Sequence, residues 1–383
     1  MDFRRINGLP PYVFATINDL KAAARHDGRD VIDMGFGNPD LPSPDVAVEK
    51  LAEAARNPRN HRYSSSAGIP KLRLAVSNLY LRRFGVELDP DTEIVPTLGS
   101  KEAIYSLAQV MLDPAGGKDL VVVTEPGYPV QERGALFAGG RVLSVPLLER
   151  NAFLPDLDAI PAEEWPQIAV FWVNYPNNPT GAVAPLSFFE RLAALAVEHD
   201  FLLASDEAYT ELYFSEPPPS ALQLPSRRNV AVFNTLSKRS SMTGYRSGFV
   251  AGDPELIAAL RLFRPTVGTA PQEFVQHAAI AAWGDEAHVA RTREAYGRKR
   301  ELLLEVLGEK GIRVAASEAT MYLWLEVPGG GASEAFAAEL LEHGIVVAPG
   351  AFFGPAGEGY VRIALVPTED ECRRAAAILR EVL

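Results

Sequence analysis

The sequence predicts an α/β protein with a mainly parallel sheet covered by helices, and three observations carry that prediction. Short apolar runs alternate with longer amphipathic stretches once the first forty residues are passed. Gly and Pro, 30 of each, lie scattered between these stretches as turn punctuation and form no low-complexity tract. The 383 residues, 47% apolar and 22% charged, match a globular composition and provide roughly two to three domains' worth of chain.

Taken in order, residues 93–98, 120–124, 167–173, 201–205 and 230–235 read as strands. Between them, 103–112 and 186–196 place apolar residues three and four apart, which gives each a face for a sheet. From Pro254 the pattern is helical, through AALRLFR and EAHVARTREAYGRKRELLLEVL. Strand-like runs then follow at 322–326 and 360–365, before a last helix from about Glu369. The expected division is an N-terminal segment, 1–42, joining a small domain; a large α/β domain, 43–270; and a linking helix with a smaller α+β domain, 271–383. Neither an internal repeat nor a flexible linker is visible, so the domains are expected to pack firmly.

Charge narrows the function. With 37 basic and 49 acidic residues the net charge is −12, which opposes general attraction to nucleic acid or anionic membranes. Any anionic ligand must then meet local positive charge. A single cysteine, Cys372, excludes an intrachain disulfide framework and a Cys-rich metal site, and its apolar neighbourhood reads as a helix face; no metal is expected. The start, MDFRRINGLPPYVFATINDL, is charged and proline-broken where a signal peptide needs an apolar core, and no run approaches the about 18 apolar residues of a membrane span, so a cytoplasmic location is expected.

In an open α/β sheet ligands bind beyond the carboxyl ends of the strands, so the residues following each run matter most. Gly99-Ser100-Lys101 opens a helix, an arrangement that suits a phosphate and also occurs as an ordinary tight turn. Dinucleotide and P-loop readings lose support: Gly35-Phe36-Gly37 continues as Asn38-Pro39-Asp40, and no GxxxxGK[ST] occurs. Further strand ends carry Asn174-Tyr175-Pro176-Asn177-Asn178-Pro179-Thr180-Gly181, Asp206-Glu207-Ala208-Tyr209 and Thr235-Leu236-Ser237-Lys238, with Arg246 eight residues beyond Lys238. Separately these read as a turn, a cap and solvated charges.

Together they match one chemistry. Pyridoxal phosphate needs a lysine for its Schiff base, an acid opposite its ring nitrogen, and cationic or hydroxyl groups on its phosphate. Lys238 is the candidate Schiff-base lysine and later base, and Asp206 the partner of the ring nitrogen. Tyr209 and Asn178 would hydrogen-bond the cofactor's phenolate oxygen. Arg246, Thr235, Ser237 and the N–H groups of Ser100 and Lys101 would clamp the phosphate. Tyr128, in Glu125-Pro126-Gly127-Tyr128-Pro129, is a candidate to stack on the ring; a half-buried loop tyrosine is the plain alternative.

With these motifs in this order the chain resembles the fold-type I pyridoxal phosphate aminotransferases of class I/II, from Leu9-Pro10-Pro11-Tyr12 to the last helix. The resemblance implies a seven-stranded, mixed but mainly parallel sheet between helices in the large domain, amino acid and 2-oxo acid substrates, and a homodimer with shared active sites. It assigns Tyr63, in His61-Arg62-Tyr63-Ser64, to the neighbouring chain's cofactor phosphate. Arg362, in Gly359-Tyr360-Val361-Arg362-Ile363, matches the arginine for the substrate α-carboxylate, a bidentate task. Gly37 matches the loop whose backbone approaches the same carboxylate. Part of the family has Trp or Phe where this chain has Tyr128, which preserves stacking.

Several stretches are similar to succinyl-diaminopimelate aminotransferases of lysine biosynthesis: Leu236-Ser237-Lys238-Arg239-Ser240-Ser241, Phe153-Leu154-Pro155-Asp156, and Ala282-Trp283-Gly284-Asp285-Glu286-Ala287-His288. Leu9-Pro10-Pro11-Tyr12-Val13-Phe14 and the Gly-Asn-Pro-Asp loop are similar instead to diaminopimelate and alanine aminotransferases. Glutamate is the expected donor. Alanine, aspartate or aromatic substrates remain open, as does a carbon–sulfur β-lyase using the same lysine, aspartate and phosphate clamp. A cofactor-binding regulatory protein is disfavoured because no basic helix-turn-helix segment precedes the α/β domain. For a distal substrate group Arg4, Arg5 and Arg239 are candidates.

Overall fold

The fold is known from a computed structural model that describes residues 2–7, 21, 22, 26, 28 and 30–383. The 9–14 motif lies outside the described residues, as do the side chains of Arg4 and Arg5.

The central strands are apolar on both faces, as a parallel sheet covered on each side requires. β1 (Ile32–Asp33) opens the described core. Then come β2 (Ile94–Thr97), β3 (Leu120–Glu125), β4 (Arg141–Pro146), β5 (Ile168–Asn174), β6 (Leu202–Asp206), β7 (Val230–Thr235) and β8 (Gly248–Gly252). Every residue of β5, IAVFWVN, and of β7, VAVFNT, is buried. Strands β2 to β8 form one seven-stranded sheet in the order β2-β8-β7-β6-β5-β3-β4, with β8 antiparallel to both neighbours and the remaining pairs parallel. The seven-stranded mixed sheet implied by the resemblance is therefore present. Two of its strands fall outside the five runs read from sequence. β4 is a sheet edge with only Val145 buried, and β8 is a five-residue GFVAG, so neither shows a strong apolar run.

The helices Ser100–Met111 and Leu186–Glu198 cover the sheet with the apolar faces expected of them. The helix Glu273–Gly284 lies past the expected boundary at 270, yet Ala278, Ala279, Ala282 and Trp283 share one apolar cluster with Ile94 and Phe249 of the large sheet. Its small residues let it pack closely on the helices Asp45–Ala55 and Pro70–Phe84.

A second layer follows. β9 (Val314–Ala316), β10 (Tyr322–Glu326), β12 (Ala348–Pro349) and β13 (Tyr360–Ala364) form an antiparallel sheet in the order β12-β13-β10-β9. β11 (Ile345–Val346) pairs in parallel with β1, which ties residues 32–33 to this half. The helices Ala287–Glu309 and Glu369–Val382 cover the sheet, and Leu303, Leu323, Ile363 and Leu379 fill its core. Cys372 is buried on the last helix, where burial pushes its thiol up to about 11. Tyr209 and Leu212 of the large half belong to the same apolar cluster, so the two halves meet along the segment that follows β6. None of the described helices is long and apolar enough to cross a membrane.

Candidate active site

Parallel strands deliver the ends of β5, β6 and β7 to one edge of the sheet, and a cavity of about 260 Å³ opens there against the small half. Its wall contains eleven of the residues singled out from the sequence. Gly37 comes from the 35–40 loop, Ser100 and Lys101 from a helix start, and Tyr128 from the turn after β3. Asn178, Asp206, Tyr209, Thr235, Ser237, Lys238 and Arg246 complete them.

Lys238 lies in a short helical turn, Leu236–Arg239, whose N-cap is Thr235. Its Nζ donates to the carbonyl of Gly37 at 2.6 Å. Burial pushes its pKa down, and the nearby guanidinium groups of Arg362 and Arg246 act in the same direction, opposed by Tyr322 and Asp206. Asp206 ends β6, 5% exposed, and accepts from the Ala208 N–H at 3.3 Å. Burial raises its carboxyl to about 7, with the Ala208 N–H and then Lys238 pulling the other way. A cationic N–H placed against it would restore the carboxylate.

The loop 174–181 is held by its own asparagines. Asn174 accepts from the Asn178 N–H at 2.9 Å and donates to the Asp206 carbonyl at 2.8 Å, while Asn177 and Thr180 bond at 2.8 Å. This presents the Asn178 side chain to the cavity.

At the opposite end, Gly99 precedes the helix start with φ 72° and ψ 163°, a combination open essentially to glycine alone. A Cβ there would lie 2.5 Å from an Nη of Arg246, so the guanidinium passes directly over the glycine. Arg246 donates to the carbonyls of Thr243, 3.0 Å, and Leu98, 3.2 Å. Thr235 Oγ1 contacts both Ser237 Oγ, 2.9 Å, and the Ser247 carbonyl, 3.0 Å. Its one hydroxyl proton serves only one of these at a time; when it goes to Ser237 Oγ, the Ser237 hydroxyl proton is left for the cavity. Together with the first N–H groups of the helix Ser100–Met111, this end is built for an anion.

Two residues are placed differently. Tyr63 is fully exposed and away from this cavity within its own chain. Arg362, on β13, is fully buried just behind the wall and donates to Asn178 Oδ1 at 2.8 Å and to the Gly35 carbonyl at 2.7 Å. Its guanidinium carbon is 4.2 Å from the ring centre of Tyr322 and 4.7 Å from that of Phe353. Arg239, a candidate for a distal substrate group, points elsewhere: it is buried against Trp283 and bonded to the Ala282 carbonyl and Glu286. Among the described residues no cluster of His, Cys, Asp or Glu could hold a metal ion.

Phe36, Asn38, Asn174, Thr243 and Tyr322 also line the cavity and were not picked out from the sequence for it. Tyr322 sits in the apolar run MYLWL, where periodicity reads only a buried strand.

The residues fit pyridoxal phosphate. A buried acid calls for a cationic N–H, a half-buried lysine of lowered pKa stands nearby, and the anion site is separated from both by the width of one cavity.

Comparison with known proteins agrees. LL-diaminopimelate aminotransferase of Oleidesulfovibrio alaskensis is 42% identical over 378 residues, 97% of each chain. Among solved structures, a probable N-succinyldiaminopimelate aminotransferase from Thermus thermophilus superposes with TM-score 0.90 at 34% identity, covering 97% of this chain and 100% of that one. The aspartate aminotransferase from the same organism, with maleate, gives TM-score 0.90 at 33% identity, with both chains fully covered. The sequence family described as aminotransferase class I and II matches residues 29–379. This chain is an enzyme of that family, a class I and II aminotransferase.

Proposed function

We propose that this aminotransferase binds pyridoxal 5′-phosphate in the cavity above and exchanges amino groups between glutamate and a diaminopimelate-type substrate of lysine biosynthesis. The observation that carries the cofactor reading is that a half-buried Lys238 and the buried Asp206 face one cavity bounded by Arg246 at one end and backed by Arg362 at the other. The similarity to LL-diaminopimelate aminotransferases over 97% of the chain supports the substrate class.

When bound, the cofactor supplies an electron sink for the carbanion left by loss of the substrate Cα proton. Lys238 would hold it through a Schiff base, and Asp206 would face the ring nitrogen, each favouring the other's charged form. Arg246, Ser237, Thr235 and the N–H groups of Ser100 and Lys101 bind the phosphate. Tyr128 stacks on the ring, while Tyr209 and Asn178 donate to its phenolate oxygen.

Arg362 takes the substrate α-carboxylate. To do so it exchanges its contact with the Gly35 carbonyl for a carboxylate oxygen, and the Gly37 backbone completes that end. Lys238 Nζ removes the Cα proton and holds it for redelivery, a role for which burial prepares it by favouring the neutral amine. In a homodimer, Tyr63 of a second copy would reach the phosphate, which gives an exposed tyrosine a function.

The test is a half-reaction screen of purified enzyme loaded with pyridoxal phosphate. Glutamate and LL-diaminopimelate or its N-succinyl derivative are expected to convert the cofactor to its amine form, and Lys238→Ala to abolish both that conversion and the visible band. Rapid reaction with alanine but with neither diaminopimelate compound would overturn the substrate. Failure to bind the cofactor at all would overturn the site.

A further inference from the structure

Among the described residues, Tyr322 is the one phenol in the cavity wall without a role in the scheme above, and its position is specific. It begins β10, is 2% exposed, and its hydroxyl lies 3.1 Å from that of Tyr209, with the rings edge to face at 5.7 Å. Its ring lies against the Arg362 guanidinium, and its hydroxyl is packed on Gly37 so closely that a Cβ there would approach it to 2.0 Å. The phenol has little freedom to turn away.

We infer that Tyr322 is a positioning residue that donates its hydroxyl proton to Tyr209 and so commits the Tyr209 proton to the cofactor's phenolate oxygen. The inference rests on the cofactor reading above. Proton counting sets the direction. A phenol carries one proton, so a Tyr209 that donates to the cofactor can meet Tyr322 only as an acceptor. Tyr322 must then be the donor, and a donor bonded to Tyr209 oxygen polarises the Tyr209 O–H further.

The charged and titratable groups facing this pair are Lys238 from the turn after β7, Asp206 at the end of β6, Arg362 on β13 and Tyr296 on the helix Ala287–Glu309. Arg246 acts on Lys238, Asp33 on Arg362 and Asp40 on Tyr296. For Tyr322, burial pushes the phenol up, but Lys238, Arg362 and the bond to Tyr209 outweigh it and the net direction is down; for Tyr209, burial and the neighbouring Tyr322 keep the phenol well above its ordinary range.

The readout is the pH midpoint of the visible absorption of the lysine-linked cofactor, because a better donor to the phenolate oxygen lowers the proton affinity of the linked nitrogen beside it. Y322F keeps the ring against Arg362 and removes only the hydroxyl. The midpoint is expected to rise by about 0.3 to 0.6 pH units. Y209F should raise it further, and the rise caused by Y322F should shrink in the Y209F background, since the inferred route runs through Tyr209. A Y322F midpoint equal to wild type, or a shift that adds in full to that of Y209F, overturns the inference. Should Y322F not fold, G37A, which pushes the Tyr322 hydroxyl off Tyr209, must raise the midpoint in the same direction, and no shift overturns the inference equally. A wild-type protein with no visible band would count against the cofactor reading instead.

Discussion

Replacing Gly99 by Ala tests how the phosphate end is built. Two separate costs follow from the structure. The backbone at φ 72° and ψ 163° is a glycine conformation, and a non-glycine residue held there costs about 1–3 kcal/mol. This penalty acts with or without cofactor, so it lowers the unfolding free energy of the cofactor-free protein by that amount. The second cost is local: the new Cβ would lie 2.5 Å from the Arg246 guanidinium, which must move off the site. A hydrogen bond to a charged group contributes about 1.5–3 kcal/mol, so its loss weakens phosphate binding by roughly 10-fold to 150-fold. Pyridoxamine 5′-phosphate is the suitable probe, because it cannot link to Lys238. Titration calorimetry should give a weaker Kd in G99A and in R246A, with little further loss in the double variant, since both act through one guanidinium. Wild-type affinity in G99A, or losses that add in full, would refute the placement of Arg246 over the phosphate.

Three further outcomes are expected. Asp206 has a folded pKa of about 7, above its unfolded value, so its protonated form stabilises the cofactor-free protein at low pH and that contribution is lost as pH rises from about 4 to 7. D206N should therefore gain stability relative to wild type across that window, by up to a few kcal/mol, in urea unfolding at pH 5 and pH 7.5; a constant difference would contradict the buried-acid account. R362K keeps the charge and loses the fork, so KM for the amino acid should rise about 10-fold or more while cofactor affinity holds. Lys299, 2% exposed, is bonded to Asp40 at 2.7 Å, and K299M removes that charged bond; a loss of about 2 kcal/mol is expected in chemical unfolding.

Much of the site was legible because its chemistry is carried by the residues that end strands. Lys238, Asp206, Asn178 and Ser100 each follow a run whose apolar pattern marks it as a buried strand, and the ends of parallel strands share one edge of a sheet. Tyr322 and Phe36 were not legible. Tyr322 is an aromatic inside an apolar run, indistinguishable by pattern from its neighbours Leu323 and Trp324, and only the approach of the small half turns it toward Tyr209. The edge strand β4 and the short β8 escaped notice for a related reason: their residues owe their extended state to pairing partners and not to their own hydrophobicity.

The sequence by itself determined the fold class and eleven of the residues that line the cavity, because these depend on local pattern and on residue types at strand ends. Tertiary structure alone decided the relations between distant segments. It set Lys238 on the carbonyl of Gly37, 201 residues away, and Arg362 on Asn178 and Gly35 behind the wall. It also joined the helix Glu273–Gly284 to the large core. The physical reason is the same throughout. Burial, a shared cavity and a shifted pKa belong to groups brought together from separate elements, and no spacing along the chain records the distance between them.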